Sequence, residues 1–243
     1  MTMRSIQFVL LIGLMGIISA GCKNNDPRYG VEDRLALSGK HPEVWAVAPA
    51  INLSGERDVD PILQADLVYH QAQAIRGVTV IPVQRVVEVY LSLHIDRVQS
   101  AEQASLVCDL LGCDGLLVPT ITIYDPYNPP KFGASLQLFS KPGAYARDLS
   151  VDPRELARRA APPEDQSNTA PQQEFLQSVG MYDAANGSVR EAVFDYARGR
   201  NDPVGPMKEK EYLMSMDRFC GFAWHELLDS LLTAKERAGH KSH

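Results

Sequence analysis

The order of strand-like and helix-like segments restricts the fold of this chain more than any other feature. Five short runs have the apolar character or the alternation of strands. Segments with helical spacing separate the first three runs and follow the last one. The order β-α-β-α-α-β-β-loop-β-α-α predicts an α/β fold in which helices pack against a mixed β-sheet. The strand-like runs lie at 43–50, 78–82, 115–124, 131–140 and 174–184.

Capping residues mark where the predicted helices begin. Asp60 stands directly before a proline, an arrangement typical of a helix N-terminus. Ser100 and Ser188 are each followed, three residues later, by a glutamine or a glutamate, so each is interpreted as the start of a capping box. A long C-terminal helix is expected from about 208 to 236.

The last predicted helix carries an apolar stripe at helical spacing. We interpret the stripe as a face that packs on the core, which is the usual role of such a pattern, and a membrane role is the alternative. The stripe consists of Leu213, Met216, Cys220, Ala223, Leu227 and Leu231, flanked by Phe219, Trp224 and Leu228.

The N-terminus has the layout of a secretory signal peptide. Arg4 precedes an apolar run at 6–18 that is too short to span a membrane. Small residues then lead from Ser19 directly to Cys22, which resembles the lipobox of bacterial lipoproteins. The cysteine of such a box is acylated, for example with palmitate, and becomes the mature N-terminus. We therefore predict lipidation of Cys22 and a membrane anchor through its acyl chains; an uncleaved hydrophobic helix with an incidental cysteine is the alternative.

The remaining length fits one large domain. We divide the chain into a lipoprotein signal peptide at 1–21, a tether at 22–42, a single α/β domain at 43–236 and a tail at 237–243. A loop-rich insertion is expected at 141–172 inside the domain. The formal net charge is −6, and the sequence has no basic block like those that bind phosphate backbones. We therefore expect no nucleic-acid partner.

Three cysteines remain besides the lipidation candidate. Cys108 and Cys113 stand five residues apart, which suits neither a redox CxxC pair nor a zinc knuckle. We predict that both, together with Cys220, are small buried core residues and that no intramolecular disulfide forms. A disulfide between Cys220 and one of the other two is the alternative.

No pattern in the sequence predicts a catalytic, cofactor-binding or metal site. The chain lacks the GxSxG, GxxxxGK[ST], GxGxxG and HExxH motifs. Asp114, Asp125 and Asp183 stand near strand ends and are interpreted as turn residues, although a pair of carboxylates is also suited to acid–base work. Asn52 and Ser54 follow the first strand, where many α/β sheets bind ligands, but we interpret them as a backbone-bonding turn.

Three phrases resemble the core of a group of bacterial envelope lipoproteins. VWAVAPAINLSG, GVTVIPVQRVVEVY and AEQASLVCDLLGCDGLLVPTITIYDPY resemble the TolB N-terminal-domain-like / CsgG / LpoB group. Cys113 stands where the group usually has alanine, and Pro119 stands where it usually has glycine. The resemblance covers residues 43–140, together with 173–236, and implies the fold of that group, without a shared catalytic residue. The matching positions are Asn52, Ser54, Gly55, Leu111, Gly112, Asp114 and Gly115.

These features favour a membrane-anchored lipoprotein that acts as a non-enzymatic binding or assembly module in the bacterial cell envelope, facing the periplasm or the exterior. Envelope proteins are the expected partners. A lipid-anchored hydrolase with an unrecognised site and a subunit of a secretion pore are the alternatives. The proline-rich segment 125–172, with the strand at 131–140 inside it, is expected to form the partner surface. The residues expected on that surface are Tyr124, Asp125, Tyr127 and Phe132.

Overall fold

The computed structural model describes residues 35–38, 41–140, 175–200 and 205–240. Cys22, the predicted signal peptide and the predicted insertion lie outside the described residues. The described elements are β1 (Glu43–Val47), β2 (Ile51–Asn52), α1 (Pro61–Gln73), β3 (Val78–Ile81), α2 (Val83–Leu93), α3 (Ala101–Leu111), β4 (Gly115–Asp125), β5 (Lys131–Ser140), β6 (Phe175–Asp183), α4 (Gly187–Gly199), a 3₁₀ helix (Lys208–Lys210), α5 (Glu211–Met214) and α6 (Met216–His240).

The predicted fold class is confirmed. One mixed sheet of six strands is packed by helices, and the chain ends in the long α6. The strands run in the order β3-β1-β4-β5-β6, and β2 pairs with β4 beyond the end of β1. The pairs made by β1 with β3 and β4 are parallel, whereas β4, β5 and β6 form an antiparallel meander. The sheet therefore has a parallel half, which helical crossovers connect, and an antiparallel half.

On the first face of the sheet, α1 and α6 form a closed layer. Phe132 of β5 and Trp224 of α6 are fully buried between sheet and helices, with their rings edge to face. Trp224 Nε1 donates a hydrogen bond to Gln64 Oε1 at 3.0 Å, which joins α6 to α1 and satisfies the buried indole. Ser178 Oγ on β6 donates to the Leu227 carbonyl at 2.8 Å. The first core therefore extends as far as the last strand.

On the second face, α2 and α3 cover a smaller part of the sheet. Leu116 and Phe139 are neighbours across the β4–β5 ladder. They pack with Tyr90 of α2 and Val107 of α3 in a second core that also includes Ala46 of β1. In the described part of the chain, this second core reaches β4 only as far as Val118 and β5 only at Phe139, and it includes no residue of β6. Half of the second face is thus left without a helical layer in the described part of the chain.

Side chains cap the helices largely where the sequence predicts. Asp60 Oδ1 accepts hydrogen bonds from two N–H groups in the first turn of α1, at 2.8 and 3.2 Å. Ser100 caps α3 as predicted. The capping box predicted at Ser188 is wrong, because Asn186 is the N-cap of α4. Both the N–H and the hydroxyl of Ser188 donate to Asn186 Oδ1, so this serine is a donor rather than the capping acceptor.

The single helix predicted over 208–236 is broken near its beginning. The 3₁₀ helix and α5 end at Ser215, whose backbone is extended with φ −106° and ψ 115°. Ser215 Oγ accepts a hydrogen bond from the Arg218 N–H at 3.5 Å, so the serine caps α6 and starts a new helix. A hydroxyl that bonds locally to the backbone competes with helix continuation, which explains why the periodicity alone missed the break.

The predicted apolar stripe packs on the core within α6, where Cys220, Leu227 and Leu231 are buried. None of the helices in the described ranges combines the length and apolar character that crossing a bilayer requires. Cys108 and Cys113 are buried as well, and no disulfide joins the cysteines of the described residues, as predicted. Burial raises the pKa of the Cys220 thiol, which keeps this group protonated in the core.

Part of the segment predicted as a tether contacts the domain. Ala36 forms a parallel bridge with Arg76, next to β3. The Leu37 N–H donates to the Arg76 carbonyl at 2.9 Å, and the Leu37 side chain packs against the first core. Ser38 Oγ donates to the carboxylate of Glu236 on α6. The chain therefore contacts its folded domain already at these residues, before β1 begins.

Candidate interaction surface

Asp114 has a structural role at the start of β4. Its Oδ2 accepts a hydrogen bond from the Val44 N–H at 2.9 Å, and its own N–H donates to the Val44 carbonyl at 2.7 Å. Gly112 closes α3 just before it, in the left-handed region at φ 69° that glycine adopts at little cost. These contacts hold β4 beside β1. The role of Asp114 is structural, but its carboxylate bonds across to β1 and not within a turn as expected.

The two strand-end carboxylates also bond to the backbone. Asp125 Oδ1 accepts from the Tyr127 N–H at 3.1 Å, and Asp183 Oδ1 accepts from the Ala185 N–H at 2.8 Å. Asp183 also forms an ion pair with Lys131 at 3.2 Å. The hydrogen bond from Ala185 and the nearby Lys131 ammonium lower the pKa of Asp183. Both carboxylates therefore stabilise turns at the same end of the sheet.

The residues after β2 form a closed polar turn. The N–H and Oγ of Ser54 both donate to Asn52 Oδ1, at 3.0 and 2.7 Å. Asn52 Nδ2 in turn donates to the Glu56 carbonyl at 2.7 Å. The interpretation of this segment as a backbone-bonding turn is confirmed. The described residues contain no group of three or more His, Cys, Asp or Glu positioned to hold a metal ion.

The structure separates the residues expected on the partner surface. Tyr127 lies in the turn between β4 and β5 and is 81% exposed. Tyr124 is half-buried with its ring edge against Phe132, and burial raises the pKa of its hydroxyl to about 12. Phe132 is fully buried and so cannot contact a partner. The register explains this, because Phe132 pairs with Tyr124 on the first face, under α6. The insertion expected beside them lies outside the described residues.

Sequence reasoning missed the half of the second face that the helices leave bare. Alternation along β6 places Leu176 and Tyr182 on the first face, so the residues between them at odd positions point to the second face. Val179 there is the neighbour of Ser135, and Met181 is the neighbour of Gly133. The antiparallel strands thus continue as a face of apolar and small polar side chains beyond the helical cover.

A β-bulge shapes this bare face. The β4–β5 register shifts between Ile121 and Ile123, so that β4 has one extra residue there. The shift brings Ile123 over Gly133, where an added Cβ would lie 3.0 Å from the Ile123 Cβ. Glycine at this position therefore lets the isoleucine lie across the sheet, beside Met181 on the next strand.

Four large apolar side chains give this face its character, and we refer to them as the sheet patch. Leu53 joins the patch because alternation from Ile51, which packs in the second core, places it on the same face. Exposed apolar side chains that cluster, unlike those scattered singly, mark interaction sites on soluble domains. On the strands, threonine, serine and glutamine side chains border the patch on one side, and the ion pair of Lys131 with Asp183 follows Gly133 and Met181 on the other. The sheet patch consists of Leu53 (61% exposed), Ile123 (38%), Val179 (74%) and Met181 (65%).

The sequence does contain a signal for the sheet patch, but the signal is ambiguous. The β6 sequence FLQSVGMYD has large apolar residues on both of its alternating faces. Such a strand is typical of a sheet covered on both sides. Periodicity cannot tell whether a helix reaches the outer face of the last strand, since that depends on how far α3 extends across the sheet. The patch therefore became visible only in three dimensions.

Comparisons with known proteins leave the family open. No protein-family model matches the chain, and no curated protein sequence matches it. Lipoprotein GNA1162 from Neisseria meningitidis matches 41% of this chain over 70% of its own, at 20% identity and TM-score 0.32. The LpoB C-terminal domain from Escherichia coli matches 42% over 75%, at 14% identity and TM-score 0.31. The hypothetical protein CT253 from Chlamydia trachomatis matches 79% over 99%, at 12% identity and TM-score 0.38. At TM-scores below 0.5, these likenesses decide neither the family nor the function.

Proposed function

We propose that this chain is a membrane-anchored lipoprotein of the bacterial cell envelope that binds or assembles other envelope proteins without catalysing a reaction. The domain is held at a membrane by acyl chains on Cys22 and faces the periplasm or the exterior. We also propose that the chain belongs to the TolB N-terminal-domain-like group. The phrases that resemble this group fold here as turns and contacts between strands, such as the Asn52 turn and the bond of Asp114 to Val44.

The N-terminal sequence supports the anchor. An apolar run followed by small residues and Cys22 is the arrangement that directs acylation of bacterial lipoproteins. Two acyl chains on one residue suffice for stable membrane attachment.

Replacing Cys22 tests the anchor directly. Cys22→Ser is expected to abolish metabolic labelling with a fatty acid and to move the protein from the membrane fraction to the soluble fraction. Asn25→Ser, a polar substitution close by that keeps the cysteine, is the matched control and should change neither readout. If Cys22→Ser still sediments with membranes at full-length mass, the lipoprotein proposal fails.

The sheet patch is the observation that carries the binding role. Interface cores are rich in aromatic residues and methionine and poor in charged residues. The patch shares the methionine and the lack of charge, with Met181 and Ile123 exposed and no charged side chain among its members. The exposed ring of Tyr127 stands at the end of the β4–β5 hairpin that carries Ile123. A partner that covers the patch would complete the helical layer that the second face lacks.

The positions of the carboxylates support a role without catalysis. The strand-end groups that sequence analysis weighed for acid–base work are Asp125 and Asp183. Each accepts a hydrogen bond from the backbone of the turn that follows it. Asp183 is further held by Lys131. Both carboxylates therefore stabilise turns of the folded domain.

A charge placed in the sheet patch tests the binding role. Leu53→Asp in the full chain is expected to lower the recovery of cross-linked envelope proteins at least tenfold, because a carboxylate in an interface core is costly to desolvate. Leu91→Asp is the matched control, since Leu91 on α2 is 72% exposed outside the patch. Both variants should unfold at the wild-type temperature. Equal recovery with the two variants would contradict a binding role for the patch.

A further inference from the structure

β6 is a long and regular edge strand. Its nine residues, Phe175–Asp183, pair with β5 in one register from end to end without a shift. Among the described residues, no strand pairs with the other side of β6. An edge strand presents a row of backbone N–H and C=O groups that can pair with a further strand. The opposite edge strand, β3, offers only four residues.

β6 also lacks the features that usually protect such an edge. Proteins block edge pairing with proline, lysine, inward charges, bulges or very short strands. The sequence from Phe175 to Tyr182 contains no proline and no charged residue. Its exposed side chains include Val179 and Met181, which favour burial. α6 packs on the first face, and β6 is the last strand in the order of the described sheet, so no described strand pairs with its outer edge.

We propose that the outer edge of β6 pairs antiparallel with β6 of a second copy of this chain, joining the two sheets into one. A two-fold axis passes beside Val179, the central residue of the strand. In this register Gln177 lies opposite Met181 of the second copy, and Phe175 lies opposite Asp183 of the second copy. The inference does not rest on the proposed function, because it requires neither a lipid nor another protein.

The charge distribution favours a second copy as the occupant. Antiparallel pairing places the two Asp183 residues at opposite ends of the joined strands, roughly 27 Å apart at 3.4 Å per residue. Each Asp183 lies opposite the uncharged Phe175 of the other copy, so no like charges face each other across the pair. Each Asp183 also keeps its Lys131 partner on the inner side of the strand.

The backbone supplies enough bonds for a specific interface. Nine residues in antiparallel pairing form about nine backbone hydrogen bonds, close to the number in a typical protein–protein interface. The arrangement is self-complementary, as a two-fold interface must be. It also brings the two Val179 side chains together on the second face, so that the two sheet patches become one continuous surface.

Disulfide cross-linking of the full chain in whole cells tests this pairing. Opposite residues of antiparallel strands have Cα atoms about 4.5–5.5 Å apart, within the range that a disulfide spans. Val179→Cys is expected to give a reductant-sensitive band at twice the monomer mass. Thr79→Cys, an exposed position on the other edge strand, is the matched control and should give at least tenfold less of that band.

Two further variants test the register and the energetics. Cells that express Gln177→Cys together with Met181→Cys should form the dimer band, and either variant alone should form much less. Val179→Lys should shift the purified chain from dimer to monomer in sedimentation equilibrium while its circular dichroism spectrum stays that of the folded wild type, because two lysines then face each other. A wild-type chain that is monomeric at all concentrations, or equal cross-linking at positions 79 and 179, would overturn the proposal. An adduct of Val179→Cys with a different protein in place of the dimer band would overturn it too.

Discussion

The second face of the sheet has a covered half and a bare half, although β4 and β5 run through both. In the covered half, Leu116 and Phe139 pair across the ladder and are packed beneath α2 and α3. In the bare half, the same ladder continues with Thr120 beside Ser135, and then with Ile123 over Gly133. One pair of strands therefore carries a core at one end and a solvent-exposed surface at the other.

The difference separates apolar residues that stabilise the fold from apolar residues that do not. Thr120, Ser135 and Gln137 are the residue types expected where a sheet face meets water. Leu116 is apolar because helices cover it. Ile123 and Met181 have no such cover in the described structure, so folding alone does not explain their presence. Exposed apolar residues that are clustered in this way are better explained by binding than by stability.

Truncation of one apolar side chain in each half should give the largest contrast. Leu116→Ala is expected to lower the free energy of unfolding by about 2–5 kcal/mol, because it leaves a cavity in a packed core. Ile123→Ala should cost less than about 1 kcal/mol, since its side chain is already partly in water. Urea denaturation of the two variants checks this difference. Equal losses would show that the bare half is covered in solution.

Adding a methyl group in each half should give a smaller difference in the free energy of unfolding. An added Cβ on Gly115 would lie 2.8 Å from Leu138 Cδ1 and 3.4 Å from Trp45 Cδ1, both fully buried. Gly115→Ala is therefore expected to cost about 1–3 kcal/mol by overpacking. Gly133→Ala should cost less, because its closest contacts, to Ile123 and Thr122, are 3.0–3.1 Å, and both of these side chains lie at the surface. Chemical denaturation again measures both, and a larger loss for Gly133→Ala would contradict the free space assigned to the bare half.

Substitutions of two carboxyl groups near β6 should change the stability of the protein least, and the two changes should have opposite signs. Burial on α6, and then the nearby Asp229, raise the pKa of Glu226 above its ordinary value of 4.5, so its ionised form opposes folding at neutral pH. Glu226→Gln should therefore stabilise the protein at pH 7 and have little effect at pH 4. Hydrogen bonding lowers the pKa of Asp183 below 3.8, so its ionised form supports folding at neutral pH.

The sign for Asp183 follows from the same linkage. The ionised Asp183 carboxylate stabilises the folded state fully above the ordinary pKa, and this stabilisation is lost as the pH falls through the lowered pKa. Asp183→Asn should therefore destabilise the protein at pH 7 and progressively less below pH 4. Unfolding temperatures measured from pH 3 to 7 check both variants. Shifts of the same sign for the two variants at pH 7 would refute the contrast between the covered and the exposed carboxyl.

Much of the fold is predictable from local sequence signals, whereas the surface is not. The apolar runs and the cap at Asp60 predict the strands and the start of α1, since these signals act over a few residues. The break at Ser215 and the cap at Asn186 depend on which of several polar side chains bonds to the backbone. The burial of Phe132 and the exposure of Met181 depend on which helix reaches which face of the sheet. That is a property of the whole fold, which a strand's own periodicity does not contain.

Site-specific photo-cross-linking in intact cells tests most directly whether the bare half is the binding surface. A photoreactive residue at Ile123 is compared with the same residue at Leu110 of α3, which is 55% exposed on the helical layer of the covered half. The account predicts cross-linked adducts with envelope proteins from position 123 and few or none from position 110. Adducts from position 110 alone, or equal yields from both positions, would contradict it.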